Sequence, residues 1–227
     1  MKKPTLKGYI KETGRQAANT PAVGPFVTIS RQFGCCGYEL ANLLAQKIND
    51  LKPVSQWTVY GKDILAKLAE QSGFSLDEIE KAQTEKSGFL QEILRNVRLN
   101  ATPDTFQIRS QIAIIVRDIC TKGSAIVVGQ GGAAATTDME NGLSIRIEAP
   151  EDWRVQRICR RDGLDKDQAI ERINEVERVR QYLRQTYAHS SLRVPAFNLT
   201  IDNSLFTTEQ IADLVILAMK QCGILNT

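Results

Sequence analysis

The chain has 227 residues, 42% hydrophobic and 24% charged, which excludes a fibrous or low-complexity protein and suits one large domain or a domain with a small insertion. A formal net charge of +3 neither requires nor excludes a polyanionic partner, and small anionic ligands fit it equally well. The N-terminus has lysines but no apolar signal core, and no apolar run reaches membrane-span length, so a cytoplasmic protein with no membrane partner is expected.

Residues 1–24 carry Lys2, Lys3, Lys7, Lys11 and Arg15 among Pro4, Pro21 and Gly24. They read as an arm outside the core, either a solvated tail or a segment packed on a second copy in a homodimer. Contact with nucleic acid is the less favoured alternative.

Phe26 to Arg31 is a β-branched apolar run and reads as a buried strand. Gly34 and Gly37 bracket a turn, and Leu40, Leu43, Leu44, Lys47 and Ile48 then recur at helical spacing. Strand, Gly-bearing loop and helix together make an anion cradle. The first N–H groups of a helix have no internal partner, the macrodipole adds roughly half a positive charge, and glycine lets the backbone close on a phosphate. The alternative is a plain Gly turn opening an ordinary α/β unit. Five cysteines, an odd set without C-x-x-C, are expected reduced, because adjacent Cys35 and Cys36 would form a strained disulfide. Placed at a helix start, these two are either thiols of lowered pKa or, the favoured reading, small loop fillers.

Gln56 to Tyr60 follows as a short strand and Gly61 to Glu70 as a helix. Ser75-Leu-Asp-Glu78 is a capping box opening further helices, so an insertion spans about 60–102. Thr102-Pro103 caps a helix running to Lys122 with Gly123 as its stop. Ser124 to Gly129 is a continuous apolar run, as in a central parallel strand, and Gln130, Gly131 and Gly132 lie at its ligand-facing end. The same residues fit a second pattern: Gly129-x-Gly131-x-x-Ala134, with Glu148 further on, matches a dinucleotide (NAD-type) fingerprint. That reading needs a real helix after Gly132, whereas 138–142 looks like turn.

Leu143 to Glu148 alternates as a strand, and Pro150 opens a helix on which Arg154, Arg157, Arg160 and Arg161 share a face. Asp165 to Gln168 caps a long charged helix bearing Glu175, Arg178, Arg180 and Arg184. A solvated, salt-bridged face is the plain interpretation of these charges. His189, the single histidine, sits in a loop, and no Cys, His and carboxylate spacing suggests a transition metal. Phe197 to Asp202 is a fifth strand, and Thr207 to Gln210 caps a closing helix. Strands alternating with helices predict an α/β fold with a parallel sheet covered on both faces.

Several of these stretches resemble the cytidylate kinase-like family of P-loop nucleoside-monophosphate kinases. Ile29, Ser30, Arg31, Gly34, Gly37, Leu40 and Ala41 match its opening I-S-R-x-x-G-x-G-G-x-x-(I/L)-(A/G). Tyr60 to Leu65 is similar to (Y/F)-D-(R/K)-E-(I/L), Val128 to Gly132 to V-G-R-(G/A)-(G/A/C), and Ala149 to Arg157 to A-P-x-E-W-R-x-x-R. A later D-x-x-R-x-x-Y is placed at Glu175 and Arg178, with the register around Arg178 and Arg180 open.

The resemblance implies a three-layer P-loop NTPase fold with a five-stranded sheet in residues 25–227, an acceptor-binding insertion and a lid at about 150–187. It also implies phosphoryl transfer from ATP with Mg²⁺ to a nucleoside monophosphate or similar small phosphate-bearing acceptor. On this basis Ser30 and the N–H groups of Gly34, Cys35, Cys36, Gly37 and Tyr38 bind phosphate, and Ser30 or a water approaches Mg²⁺. Tyr60, Lys62, Gln130 and Gly131 face the acceptor, while Arg31, Arg154, Arg157, Arg178 and Arg180 neutralise the transferring group. The chain departs from the pattern at Cys36 (usually Gly), Gly61 (usually Asp) and Gln130 (usually Arg). Gly37, Tyr38 and Glu39 occupy the segment of the phosphate-binding lysine. A catalytically silent nucleotide- or anion-binding protein on a kinase scaffold is therefore the alternative.

Overall fold

The computed structural model describes residues 23–72, 105–189 and 197–225. The basic arm up to residue 22, the Ser75 capping box with the rest of the insertion, and the Thr102-Pro103 cap lie outside the described residues. In chain order the elements are β1 (Phe26–Arg31), α1 (Gly37–Asp50), β2 (Thr58–Tyr60), α2 (Asp63–Ser72), α3 (Thr105–Lys122) and β3 (Ala125–Val128). Then come α4 (Gly132–Ala135), β4 (Gly142–Glu148), α5 (Glu151–Asp162), α6 (Lys166–His189), β5 (Leu199–Asp202) and α7 (Thr208–Gln221).

The five strands pair in the order β2-β3-β1-β4-β5, all parallel. Strand periodicity sends alternate side chains of β1 to opposite faces. Val27 and Ile29 join Leu40, Leu44 and Ile48 of α1 and Ile211, Val215 and Met219 of α7 in one core. Phe26 turns the other way, onto Ile112, Val116 and Ile119 of α3 and Ile64 of α2. Each fully buried Ile or Leu contributes about 1.5–3 kcal/mol of transfer free energy, so these two cores hold the three layers together. All of β3 is buried, the unbroken apolar pattern of a strand covered on both faces.

A third small core, Val155, Ile158, Ala169 and Ile173, joins α5 to α6, with Phe33 of the β1–α1 loop packed against it. The expected strands agree with the observed ones to within two residues. The late start of β2 comes from Asn49, which takes the Trp57 N–H at 2.8 Å and donates to its carbonyl at 3.0 Å. Because β1 is central, with β3 on one side and β4 on the other, the chain switches direction there. The crevice beyond the C-terminal strand ends at that point is where open α/β sheets bind ligands.

Candidate functional site

The β1–α1 loop lies in that crevice, and much of its backbone is already engaged. Gln32 N–H donates to Ile147 O at 2.9 Å, Cys35 N–H to Gln32 O at 3.2 Å and Gly37 N–H to Cys35 O at 3.0 Å. Phe33 N–H donates to Glu177 Oε1 of α6 at 2.7 Å. Cys36 N–H donates to the side-chain oxygen of Asn203, just past β5, at 3.2 Å. Of the expected cradle, Gly34 and Tyr38 keep N–H groups with no partner among the described residues.

Cysteine is accommodated at position 36 because its φ is −80° and its side chain fills the gap to the β5–α7 turn. The thiol donates to Asn203 Oδ1 at 3.0 Å and accepts from Thr208 Oγ1 at 3.2 Å. Asn203, itself buried, also donates to Phe206 O. It was not picked out in the sequence, where the only signal is an amide at the end of a strand.

Arg31 lies across the first residue of α1. A β-carbon on Gly37 would stand 2.9 Å from Arg31 Cδ and 3.1 Å from Nε, and one on Gly129 would meet the guanidinium. The guanidinium sits 5.5 Å from the Tyr38 ring centre. Its side chain thus takes the room into which a phosphate-binding lysine at position 37 would grow, and it delivers a cation to the same helix start from β1. Burial, and then Arg180, push its pKa down to about 10, with Tyr38 and Glu177 opposing. It stays charged at neutral pH.

Tyr38 turns toward the β2–α2 junction, where a β-carbon on Gly61 would sit 2.6 Å from its Cε1. Its hydroxyl accepts the Lys62 N–H at 3.1 Å. Tyr60 is half-buried against the α3 core and Lys62 is exposed. Gln130 stands between Gly129 and Gly131 in a run of positive φ (73°, 53°, 69°), closed by Gly132 N–H to Gly129 O at 2.8 Å. After it α4 has only four residues, and the hydroxyls of Thr136 and Thr137 bond back to its carbonyls at Gly132 and Ala133. The helix that a dinucleotide fingerprint needs does not form.

The arginines of α5 and α6 divide into groups. Arg154 is 6% exposed and lies under the loop, with Nε on Ala149 O at 3.0 Å and Nη1 on Phe33 O at 3.3 Å. It supports the loop and does not project into open space. Arg157 binds Glu39 at 2.6 Å and stacks on Trp153. With Gln156, Arg160 and Arg161 these residues line a cleft of about 330 Å³ beside the first turn of α1. Arg180 donates to Arg31 O at 3.0 Å and to Glu177 Oε1 at 3.2 Å, whereas Arg178 is exposed and Glu175 pairs with Arg172. The D-x-x-R spacing that faces the loop is therefore Glu177 and Arg180, two residues beyond Glu175 and Arg178.

Against this geometry, a sequence profile described as the cytidylate kinase-like family matches residues 26–205. The chain belongs to the cytidylate kinase-like family. A cytidylate kinase of Sulfolobus acidocaldarius is 30% identical over 123 residues, 53% of this chain and 67% of that protein. A cytidylate kinase of Methanopyrus kandleri is 24% identical over 154 residues, 67% of this chain and 74% of that protein. Among solved structures, an uncharacterized protein from Eubacterium ventriosum shares the fold at a TM-score of 0.61 and 16% identity, over 86% of this chain and 98% of that one.

Within this cytidylate kinase-like fold the loop thiols are structural. Burial pushes Cys35 up to about 12 against the lowering pull of Arg154, and all five cysteines are free. Ser30 Oγ accepts from Arg146 Nη1 at 3.3 Å, and Arg146 is also paired with Glu148. A guanidinium beside that hydroxyl does not suit Mg²⁺, and among the described residues no three His, Cys, Asp or Glu side chains cluster as a metal site. No described helix is long and apolar enough to cross a membrane. Of His189 only the helical backbone is described.

Proposed function

We propose that this cytidylate kinase-like protein transfers the γ-phosphoryl group of ATP to a nucleoside monophosphate, cytidylate-like or a similar small acceptor. The observation that carries the reading is Arg31 laid across Gly37, a half-buried cation at the helix start where the lysine is missing. Phosphoryl transfer needs little covalent chemistry from the protein; it needs the two phosphates aligned and their charge compensated. An acceptor phosphate oxygen attacks the γ-phosphorus, the bond from that phosphorus to the bridging oxygen breaks, and ADP leaves with the electron pair.

In this reading Arg31 and Arg180 compensate the charge, and Gly34 and Tyr38 N–H groups hold phosphate oxygens. The cleft of Trp153, Arg157, Arg160 and Arg161 receives the donor nucleotide. Tyr38, Tyr60, Lys62, Gln130 and Gly131 border the acceptor, and α5 with α6 forms the lid. The Ser30 hydroxyl, which accepts from the Arg146 guanidinium, does not suit Mg²⁺.

A second reading, a catalytically silent nucleotide or anion binder, is favoured by one observation: the N–H groups of Phe33, Cys35, Cys36 and Gly37 are already bonded within the protein. A coupled assay of ATP with each nucleoside monophosphate, beside calorimetric titration of ATP, separates the two. Turnover with any acceptor supports transfer; ATP binding without turnover supports the silent binder.

A further inference from the structure

Glu177 reaches from α6 onto the β1–α1 loop. Its side chain is 23% exposed, and its Oε1 accepts both the Phe33 N–H at 2.7 Å and Arg180 Nη1 at 3.2 Å. Arg180 is itself tied to the loop through Arg31 O at 3.0 Å. Two guanidinium groups stack on the Phe33 ring, Arg161 at 5.4 Å and Arg180 at 5.7 Å from its centre. The carboxylate thus sits on a loop N–H and a guanidinium, with the Arg31 charge nearby, which is the kind of donor set that oxyanions select.

We propose that Glu177 is an internal competitor for phosphate: its carboxylate occupies an oxyanion position at Phe33, seats α6 on the β1–α1 loop, and is displaced when a phosphate-bearing ligand enters. The proposal rests on the reading that this loop binds nucleotide phosphates. Two anions cannot share the Phe33 N–H and the Arg180 fork without strong repulsion, so binding and latching are mutually exclusive. A ligand that meets a loop open only part of the time shows an affinity reduced by that fraction. Release of Glu177 also frees Arg180 to turn from a carboxylate to the incoming phosphate, coupling ligand entry to movement of α6.

The test uses the full chain and two variants, Glu177→Ala and Glu177→Gln, with inorganic pyrophosphate as the common probe and ATP and CMP as separate arms. Hydrogen exchange at the Phe33 amide of the ligand-free protein should quicken by about tenfold or more, since a charge-assisted bond is lost or replaced by a weaker neutral one. Pyrophosphate should bind at least about fivefold more tightly once the competitor is gone. A matching gain with ATP alone places the displaced position on the donor side, and a gain with CMP alone on the acceptor side.

Glu177→Gln decides both readouts if Glu177→Ala does not fold. Unchanged Phe33 exchange, or pyrophosphate bound no more tightly than by wild type, overturns the competitor. Tighter pyrophosphate binding without turnover of any nucleoside monophosphate would keep the competitor and reject the kinase reading. Wild-type turnover with neither readout moved would do the reverse.

Discussion

The Tyr38 ring lies directly over Gly61, so close that a β-carbon there would stand 2.6 Å from Cε1 and 2.7 Å from Cζ. The departure from the family pattern after β2, glycine for aspartate, and the tyrosine in the first turn of α1 are therefore one steric arrangement. Gly61→Asp should displace the ring and cost about 1–3 kcal/mol of stability, the range for overpacking a close contact. In a Tyr38→Ser background the same change should cost much less. A denaturant-unfolding cycle over the four proteins checks this; a coupling below roughly 0.5 kcal/mol would mean that the sites are independent.

Arg31 and Gly37 make a second such pair. Arg31→Ala should lower turnover by more than about tenfold through loss of a charge-assisted contact to the transferring group. Gly37→Lys alone should fold poorly, because its β-carbon would enter the space of Arg31 Cδ. Combined with Arg31→Ala it should fold and recover part of the lost rate, since the cation returns to the helix start by the other route. Steady-state kinetics on the three variants measures this, and a double variant as slow as Arg31→Ala would deny any interchange.

Local periodicity and glycine placement carried the five strands and the parallel α/β class, because β1 and β3 are buried runs whose neighbours leave them no other state. Arg180 donates to the Arg31 carbonyl, a juxtaposition that spacing alone does not announce and that only the family resemblance assigned to one site. The part that stayed illegible depends on contacts between residues far apart in the chain. Arg154 shares a helical face with Arg157, yet one supports the Phe33 carbonyl and the other binds Glu39, a division set by how α5 packs. Glu177 and Asn203 were missed because nothing in a charged helix or a strand end announces that its side chain will reach a loop about 150 residues away.

Asn203 should be the costliest polar deletion around the loop. Its removal leaves the buried Cys36 N–H without an acceptor, and an unsatisfied buried donor costs about 1–3 kcal/mol. Cys36→Ala removes only the thiol's contacts and should cost less, about 1 kcal/mol. Urea unfolding of both variants ranks them, and the reverse order would show that the thiol, not the backbone donor, is what Asn203 serves.

Cys35 and Cys120 are both pushed up to about 12 by burial, so they should resist alkylation at pH 8 while the exposed Cys222 reacts. The same shift gives stability a pH dependence. A thiol whose folded pKa is raised contributes fully below its unfolded value, near 9, and that contribution is lost as pH climbs toward 12 because only the unfolded chain releases the proton. The stability difference between wild type and Cys120→Ala, measured by urea unfolding, should accordingly shrink steadily from pH 9 upward. Cys120 suits this comparison better than Cys35, whose surroundings include the charges of Arg154, Arg157 and Glu177. A difference that held flat over that range would mean that the Cys120 thiolate is tolerated in the folded core beside Ile119 and Val116.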